Sequence, residues 1–378
     1  MSSKATFDGA PEHGTINFSV GQPSADLLPL ALLGTAGARF FAAAEPLELN
    51  YGQRQGDVRF RTALADFLDK STGSPVDPDS LMLTGGISQA LAFVCGRFTR
   101  PGDVIFVEEP SYPYSFPIFR DHGLEIIGVP VDGAGVDVVV LERELARRRP
   151  KLVYTIPAFH NPTGQVLDRA RRERLISLSR EHGFIIVADE AYQLLHHGTP
   201  PPPSFGALGG DGNVLSLGTF SKILAPGLRL GWMQTRPDLM TTLLASGALV
   251  SGGNFNHFTS HLVRQLLESG ELSAFVTDLR TSYAQRAQAM DTALKKHFSS
   301  IARWQRPGGG YFFWLELAEG ADAGALEAAA RAAGTGFLPG TACSMSGGLR
   351  HCLRLSFAHY SVPEIHEGIG RLARAFIK

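Results

Sequence analysis

The feature that most constrains this chain is a rhythm of short apolar runs separated by helix-length segments between residues 46 and 235. Within each run the apolar residues are consecutive and do not alternate with polar ones, which is typical of strands covered on both faces. Strand and helix alternating at this spacing predict a mostly parallel sheet with helices on both sides. The predicted strands are Asp103–Glu108, Leu124–Val131, Lys151–Pro157, Phe184–Asp189 and Asn213–Gly218.

Helices are predicted between these strands, and the pattern changes near the end of the chain. Ser88 is the predicted N-cap of one of them. After a long helix over Leu272–Phe298, strands and helices follow without the earlier rhythm, which predicts a smaller α+β domain. The other predicted elements are helices Asp57–Lys70, Ile87–Thr99, Val138–Arg149, Asp168–His182, Gly324–Ala333 and Val362–Ile377, and strands Gly310–Leu317 and Leu353–Ala358.

Length and composition exclude several classes of protein. At roughly 150 residues per domain, 378 residues suggest two domains. With 35 Lys and Arg against 36 Asp and Glu, the chain lacks the basic character of a nucleic-acid or anionic-membrane binder. The 44% hydrophobic and 19% charged residues exclude a disordered chain.

The sequence also bears on the compartment. Three cysteines, Cys95, Cys343 and Cys352, are too few for a disulfide framework and favour a reducing compartment. Asp8 and Glu12 argue against a signal peptide. No apolar run is expected to approach the roughly 18 residues that span a bilayer. The expectation is a cytoplasmic protein without a membrane partner.

The segment Ser216–Trp232, with the sequence SLGTFSKILAPGLRLGW, carries the most specific chemical signal. Lys222 follows an apolar strand and precedes two apolar residues, which disfavours the usual solvated position of a lysine. A desolvated lysine with a lowered pKa is the standard route to a Schiff base with a carbonyl cofactor. Thr219, Ser221 and Arg229 supply two hydroxyls and a guanidinium that suit a nearby phosphate.

Two further segments place polar residues directly after predicted strands. In VADEAY, Asp189 is either a helix N-cap or a buried carboxylate paired with a protonated pyridine nitrogen. Tyr192, three residues later, reaches the cofactor's phenolic oxygen or is a core residue. In PAFHNPTG, Asn161 is either a turn residue or a donor to that oxygen. His160 is expected to be structural.

Two weaker signals complete the set. The Gly-rich turn at the start of TGGISQAL opens a helix, and free amides at a helix N-terminus bind anions. It lacks the spacing of a dinucleotide site and the Lys of a P-loop. In EPSYPY, Tyr112 either stacks on an aromatic ring or packs in a turn. Because all of these signals follow strands, the sequence predicts one pocket at the carboxyl edge of the sheet.

In this order the motifs HNPTG, ADEAY and SKILAPGLRLGW resemble those of the fold type I pyridoxal-phosphate enzymes, specifically the class I/II aminotransferases. The resemblance extends from INFSVGQP to LRLSFA, in the branch of 2-aminoadipate-type transaminases and the enzyme-like domain of pyridoxal-phosphate-dependent (MocR-like) regulators. It implies an α/β fold in which a mostly parallel seven-stranded sheet forms a three-layer large domain beside a smaller α+β domain. The large domain is predicted over 46–278, and the small domain over 1–45 and 279–378.

The resemblance implies a role for each matched residue toward pyridoxal 5'-phosphate. Lys222 would hold it as a Schiff base, and Asp189 would pair with the ring nitrogen. Tyr112 would stack on the ring, while Asn161 and Tyr192 would bond its phenolic oxygen. The residues implied at the phosphate are Gly86, Ile87, Ser88, Thr219, Ser221 and Arg229. The family often has Ser-Gln where this chain has Ile-Ser at positions 87 and 88, so only a backbone contact is expected at residue 87.

The resemblance also implies substrate contacts and a second subunit. Arg354 would clamp the substrate α-carboxylate, with Asn161 beside it. Gly21 belongs to an amino-terminal segment that closes over the substrate. Tyr51 is similar to the tyrosine that reaches the phosphate of the neighbouring subunit, which implies a homodimer.

The expected function is an aminotransferase that moves an amino group between an L-amino acid and a 2-oxo acid by ping-pong chemistry, with Lys222, Asp189 and Tyr192 as catalytic residues. An alternative is a lyase, decarboxylase or racemase on the same scaffold. A ligand-sensing regulator would carry a helix-turn-helix module upstream, and because the match starts by Ile16 no such module is expected here. No metal site and no nucleic-acid partner are predicted. The physiological donor and acceptor are not readable, although Arg54 is an option for a distal carboxylate.

Overall fold

The structure is a computed structural model that describes residues 14–376. Predictions about residues 1–13, including Asp8, Glu12 and the start of the small domain, lie outside the described residues. The strands are β1 (Ile16–Asn17), β2 (Leu81–Thr84), β3 (Val104–Glu109), β4 (Glu125–Asp132), β5 (Gly135–Val136), β6 (Leu152–Thr155), β7 (Ile185–Asp189), β8 (Val214–Thr219), β9 (Gly231–Gln234), β10 (Ala302–Arg303), β11 (Phe312–Leu317), β12 (Thr335–Gly336), β13 (Leu338–Pro339) and β14 (Cys352–Ser356).

Thirteen α-helices connect and cover these strands within residues 14–376. They are α1 (Leu30–Ala43), α2 (Val58–Thr72), α3 (Ile87–Phe98), α4 (Ser115–Asp121), α5 (Val138–Leu145), α6 (Arg169–His182), α7 (Phe205–Leu208), α8 (Pro237–Leu244), α9 (Gly247–Gly252), α10 (His257–Glu268), α11 (Glu271–Phe298), α12 (Glu327–Ala332) and α13 (Val362–Phe376). Short 3-10 helices lie at Ala25–Leu27, Pro46–Leu49, Pro78–Ser80, Pro226–Leu228, Gly324–Leu326 and Gly340–Cys343.

The main sheet has the strand order β2-β9-β8-β7-β6-β3-β4-β5. The strands from β8 to β4 pair in parallel, while β9 runs antiparallel between β2 and β8. The two-residue β5 closes an antiparallel hairpin with β4. The prediction of a mostly parallel seven-stranded sheet is confirmed, with β5 as a short addition at one edge.

The main sheet is the middle of three layers. Alternate strand residues enter different apolar clusters: Val187 packs in one, whereas Ile186 and Ala188 pack in another. All six residues of β8 are buried. Because helices cover both faces, these strands are apolar at consecutive positions, which is the pattern that the sequence shows.

Strand β9 carries no clear signal in the sequence, and the prediction omitted it. Its four residues follow the tight turn at Pro226–Leu228 and pair with β8 in a register that places Gly218 opposite Trp232. A Cβ at position 218 would lie 2.0 Å from Trp232 Cε2, so only glycine lets the indole cross this strand. A four-residue strand inside a motif of charged and glycine residues shows no usable periodicity.

Aspartate N-caps and left-handed glycines bound several of the predicted helices. The Asp57 carboxylate accepts hydrogen bonds from two amides at the start of α2, and Gly73 ends that helix with φ 68°. The predicted N-cap at Ser88 is wrong. Gly86, with φ 87°, is the N-cap of α3, and Ser88 lies inside the first turn because the chain enters the helix earlier.

A smaller antiparallel sheet has the order β10-β11-β14-β13, and α13 packs against α11 beside it. One apolar cluster runs from Phe60 and Phe220 near the main sheet to Phe313 and Leu355 in the smaller sheet. The predicted domain boundary after residue 278 falls inside the continuous helix α11. The division into domains therefore stays a prediction.

One helical stretch of the described residues, Ala25–Ala43, is long and apolar enough to cross a membrane by length and composition. Few of its residues are buried in the single chain. The expectation that no apolar run approaches spanning length was therefore wrong for this stretch. Core helices of soluble proteins and signal sequences share this length and composition.

Candidate active site

The carboxyl edge of the main sheet collects the predicted site residues. Strands β2, β3, β6, β7 and β8 all end at this edge, and the antiparallel β9 begins there. The loops that follow these strands carry Gly86, Tyr112, Asn161 and Lys222, while Asp189 is the last residue of β7. The topology therefore brings five separate sequence signals to one place.

Lys222 is partly buried at this edge and held from two sides. Its Nζ donates a hydrogen bond of 3.0 Å to the carbonyl of Gly21 and lies 5.3 Å from the ring centre of Tyr311. Burial lowers the pKa of Lys222 to about 8, although the nearby Asp189 opposes this shift. A substantial fraction of the amine is therefore neutral near physiological pH, as a nucleophilic lysine requires.

Asp189 is buried and supported by its neighbours. It accepts a hydrogen bond of 2.8 Å from the Tyr154 hydroxyl and one of 3.2 Å from the amide of Ala191. Burial raises the pKa of Asp189 to about 6, and these hydrogen bonds counteract the rise. The carboxylate is therefore still mainly ionised at neutral pH and suits a cationic partner.

Arg354 lies inside the smaller sheet on β14 and is only 2% exposed. Its Nη1 donates to Asn161 Oδ1 at 2.9 Å, its Nη2 donates to the carbonyl of Ser19 at 2.7 Å, and its guanidinium lies 4.1 Å from the ring centre of Phe312. Its buried Nε has no hydrogen-bond partner among the described atoms. A buried guanidinium with a free donor matches the planar geometry of a carboxylate.

The turn after β2 and the turn before β9 face each other. Arg229 Nη2 donates to the carbonyl of Gly85 at 3.3 Å, and a Cβ on Gly86 would lie 3.1 Å from the same nitrogen. Arg229 adopts a left-handed φ of 48°, a conformation that costs a non-glycine residue of order 1 kcal/mol. The backbone therefore holds this guanidinium against the amino end of α3.

Hydroxyl groups lie beside the Arg229 turn. Thr219 Oγ1 donates to Ser221 Oγ at 3.0 Å and accepts from the Ser221 amide at 3.1 Å. The buried Thr84 Oγ1 at the end of β2 has no hydrogen-bond partner among the described atoms. Hydroxyls, a guanidinium and a helix amino end together suit a phosphate group. Ser88, by contrast, is exposed.

Two tyrosines border the space between these groups. Tyr112 is partly buried, and burial, aided by the charge of nearby Asp189, raises its pKa to about 12. Tyr192 is buried against Tyr311 and Phe312, with ring centres 5.2 and 5.9 Å away, and burial raises its pKa well above the usual value. Both phenols are therefore neutral at physiological pH.

The amino-terminal segment covers the site, whereas Tyr51 stays away from it in the single chain. The carbonyls of Ser19 and Gly21 accept hydrogen bonds from Arg354 and Lys222, respectively. A Cβ at Gly21 would lie 3.1 Å from Phe312, so this segment approaches the site closely. The side chain of Tyr51 is 84% exposed, and the described chain does not bring it to the other site residues.

These groups fit pyridoxal phosphate on observations of this structure. The fit rests on a desolvated amine, a buried carboxylate at the same sheet edge and an unpartnered Thr84 hydroxyl near the Arg229 turn. The aminotransferase class I and II family matches residues 13–372. The chain belongs to this family.

Two relatives and one solved structure extend over most of this aminotransferase. It is 32% identical over 95% of the chain to the aromatic-amino-acid aminotransferase 1 of Thermococcus litoralis, covering 87% of that protein. It is 34% identical over 96% of the chain to a 2-aminoadipate transaminase of Thermus thermophilus, covering 90% of it. The α-aminoadipate aminotransferase of Thermus thermophilus, solved with N-(5'-phosphopyridoxyl)-L-leucine, superposes with a TM-score of 0.87 at 33% identity and covers 96% of this chain and 92% of that one.

The family relationship fixes the enzyme class. The protein is a pyridoxal-phosphate-dependent aminotransferase of fold type I that acts on an amino acid and a 2-oxo acid. The alternative of a lyase, decarboxylase or racemase is not favoured, because these two relatives and the solved structure are all aminotransferases.

Some residues of this aminotransferase site were missed at the sequence level. Tyr154 supports Asp189, Tyr311 faces Lys222, and Phe312 lies under Arg354. The signal available for Tyr154 is a phenol inside a mostly apolar strand. Tyr311 and Phe312 belong to a run of aromatic residues at the start of β11, which is equally typical of core packing.

Proposed function

We propose that Lys222 attaches the cofactor covalently and moves the proton at the substrate α-carbon. Its desolvated amine supports this role, since a neutral amine accepts that proton and can return it at a neighbouring carbon. When bound, pyridoxal phosphate supplies an electron sink for the bond that breaks at the α-carbon. Asp189 supports this chemistry as a buried anion that holds a proton on the ring nitrogen.

We infer that Arg354 binds the α-carboxylate that an amino acid and a 2-oxo acid share. One clamp then serves both half-reactions, which explains how a single site handles two substrates in turn. The unpartnered Nε and the Asn161 contact at 2.9 Å support this assignment. Arg354 Nη2 donates to the carbonyl of Ser19 in this structure. Substrate binding would replace this neutral acceptor with a charged carboxylate.

The remaining proposed contacts are to the ring and to the phosphate of the cofactor. We propose that Tyr112 stacks on the ring and that Asn161 and Tyr192 reach its phenolic oxygen. The groups proposed at the phosphate are Gly86, the Ile87 amide, Ser88, Thr219, Ser221 and Arg229. The proposed site as a whole rests on Lys222 and Asp189 at the carboxyl edge of the main sheet and on Arg354 of the smaller sheet, which reaches that edge through its hydrogen bond to Asn161.

The test is turnover by the cofactor-loaded enzyme with a panel of L-amino acids and 2-oxoglutarate. We expect one 2-oxo acid and one glutamate to form in equal amounts, with the kinetics of two alternating half-reactions. Formation of an amine and carbon dioxide, of the D-amino acid, or of ammonia from a single amino acid would contradict transamination.

We further propose that the enzyme is a homodimer. An exposed apolar surface, defined as Leu30, Phe41, Leu47, Leu49, Tyr51 and Phe258, supports this proposal, since these side chains are 43% to 84% exposed. The rings of Phe41 and Phe258 lie 6.0 Å apart, and Glu48 lies 3.8 Å from Arg264 on α10. The helical stretch and the 47–51 segment therefore form one continuous patch, and patches of this kind mark protein interfaces.

Tyr51 lies within the apolar surface. In a dimer formed through this surface, we propose that the Tyr51 hydroxyl of one subunit reaches the phosphate site of the other. Light scattering is expected to give twice the mass of one chain. Tyr51→Phe is expected to weaken cofactor binding about tenfold, an ordinary cost for a hydrogen bond to a charged group. A monomer with full activity would contradict both statements.

The three cysteines are buried free thiols, and we propose the cytoplasm as the compartment.

A further inference from the structure

A buried acid–base pair lies behind the proposed substrate clamp. Glu108 and His160 are 2% and 3% exposed, and Glu108 Oε2 lies 3.1 Å from His160 Nε2. His160 Nε2 has no hydrogen-bond partner among the described atoms, so this carboxylate oxygen is its close polar neighbour. We propose that this pair positions Asn161 for substrate binding. The proposal rests on the assignment of Asn161 and Arg354 to the α-carboxylate.

Glu108 is fixed by the ends of two neighbouring strands. Its Oε1 accepts from Thr155 Oγ1 at 2.6 Å, and its Oε2 accepts from the amide of Ile156 at 2.8 Å. These three residues lie where β3 and β6 end, so the carboxylate is anchored to the sheet and not to a loop. A carboxylate held in this way has one defined position from which to hold His160.

His160 is held from its second nitrogen as well. Its Nδ1 lies 2.9 Å from Thr163 Oγ1, and its backbone carbonyl accepts from the amide of Gly164 at 2.7 Å. The imidazole therefore bridges the sheet, through Glu108, and the following turn, through Thr163. Asn161 lies between these attachment points in the sequence, so its position depends on both.

The backbone beside this pair is strained. Phe159 has a left-handed φ of 50°, which a non-glycine residue adopts at a cost of order 1 kcal/mol. Such a conformation persists only where the surroundings determine it. Two residues later, Asn161 Oδ1 accepts a hydrogen bond from Arg354 Nη1 at 2.9 Å.

A purely stabilising role explains the pair poorly. Replacing two buried polar partners with apolar groups of the same shape is often nearly neutral or favourable for stability. A polar pair with fixed geometry links the sheet to the Asn161 turn and gives direction to that turn, which an apolar pair does not. Glu108 and His160 are therefore positioning residues, because neither touches the proposed reacting atoms.

The main test variant is Glu108→Gln. Glutamine keeps the shape and can still accept from Ile156 while its amide donates to the Thr155 hydroxyl, so the loss is confined to the carboxylate facing His160. Thr163→Val cuts the other attachment of the imidazole and serves as a second variant if the first does not fold. Glu173→Gln, an exposed carboxylate paired with Arg169, is the matched control.

Two measurements are made on the full chain. Amide hydrogen exchange of residues 158–165 in the cofactor-free protein is expected to rise about tenfold in Glu108→Gln and about threefold in Thr163→Val. In the loaded enzyme, KM for both substrates is expected to rise about tenfold while kcat changes less than about threefold. His160→Gln combined with Glu108→Gln is expected to be no worse than either single variant, because the two act as one unit.

The exchange and kinetic measurements together distinguish a positioning role of the pair from a purely structural one. Unchanged exchange in the 158–165 segment overturns the proposal, as does faster exchange with unaltered KM and kcat. A fall in melting temperature with exchange raised throughout the sheet assigns the pair a structural role only, which also overturns it. If the wild-type enzyme fails to transaminate, the proposed function fails, while the exchange measurement still decides whether the pair holds the turn.

Discussion

The two ends of the proposed site are built in different ways. At the buried end, Asp189, Asn161 and Arg354 are 2% to 6% exposed, and side chains of the same protomer hold them. At the open end, Arg229 and Ser88 are exposed, and backbone conformation provides most of the shape. The buried end keeps its charged groups away from water. The open end presents backbone amides and the Arg229 guanidinium toward solvent.

This difference indicates where substitutions are costly. Charges at the buried end have few alternative partners, so a single change leaves an uncompensated group. Groups at the open end are several, partly solvated and able to substitute for one another. We therefore expect large effects on chemistry from the first and small effects on cofactor affinity from the second.

Lys222→Ala is expected to have the largest effect. It removes the amine that attaches the cofactor, so activity should fall by at least about 10⁴-fold and the visible absorption of the bound cofactor should disappear. Absorption spectra and turnover measure both quantities. Lys151→Ala, at an exposed lysine, is the matched control. A variant at 222 that keeps the yellow colour would place the attachment on another lysine.

Asp189→Asn is expected to lower kcat about 10³-fold without unfolding the protein, because a neutral amide no longer holds a proton on the ring nitrogen. It also removes the charge that raises the pKa of Lys222, so that pKa should fall below about 8. The pH dependence of cofactor incorporation into the apoprotein measures this shift. Asp211→Asn is the exposed control. Turnover like the wild type would refute the role of Asp189.

Arg354→Lys is expected to raise KM for both substrates about 100-fold, with a smaller change in kcat. Lysine keeps the charge but loses the planar pair of donors that matches a carboxylate. Steady-state kinetics with separate variation of the two substrates provides the measurement. Arg350→Lys, four residues earlier and paired with Asp322, is the matched control. An equal rise of KM in both variants would argue against a specific clamp.

Arg229→Gln is expected to have the smallest effect and sharpens the contrast between the ends. The dissociation constant for the cofactor should rise about tenfold, equivalent to roughly 1.4 kcal/mol, because amides and hydroxyls remain at the open end. With saturating cofactor, kcat should stay within about twofold. Equilibrium titration of the apoprotein gives the constant. A drop in kcat as large as that expected for Asp189→Asn would contradict the difference between the buried end and the open end.

The buried end was the more predictable from sequence. The strand ending at Asp189 and the strand before Lys222 are consecutive apolar runs, so their ends could be located within one residue. The parallel topology then placed both ends at the same edge. The order of motifs specified the family and the remaining assignments.

Other parts could not be predicted because they depend on contacts distant in sequence. Tyr154 meets Asp189 only because their strands are neighbours, and Glu108 meets His160 across a strand pair. The apolar surface around Tyr51 is equally hidden, since an amphipathic helix gives the same pattern whether it covers a core or a second chain. Such side-chain contacts depend on the tertiary structure, and the order of residues in a single sequence does not reveal them.

The central claim is that one particular amine, Lys222, carries the cofactor. Borohydride reduction of the loaded enzyme followed by peptide mass mapping tests it most directly. We predict a phosphopyridoxyl label on the peptide that contains residue 222 and on no other lysine peptide. An unlabelled peptide at 222, with the label elsewhere or absent, would contradict the account.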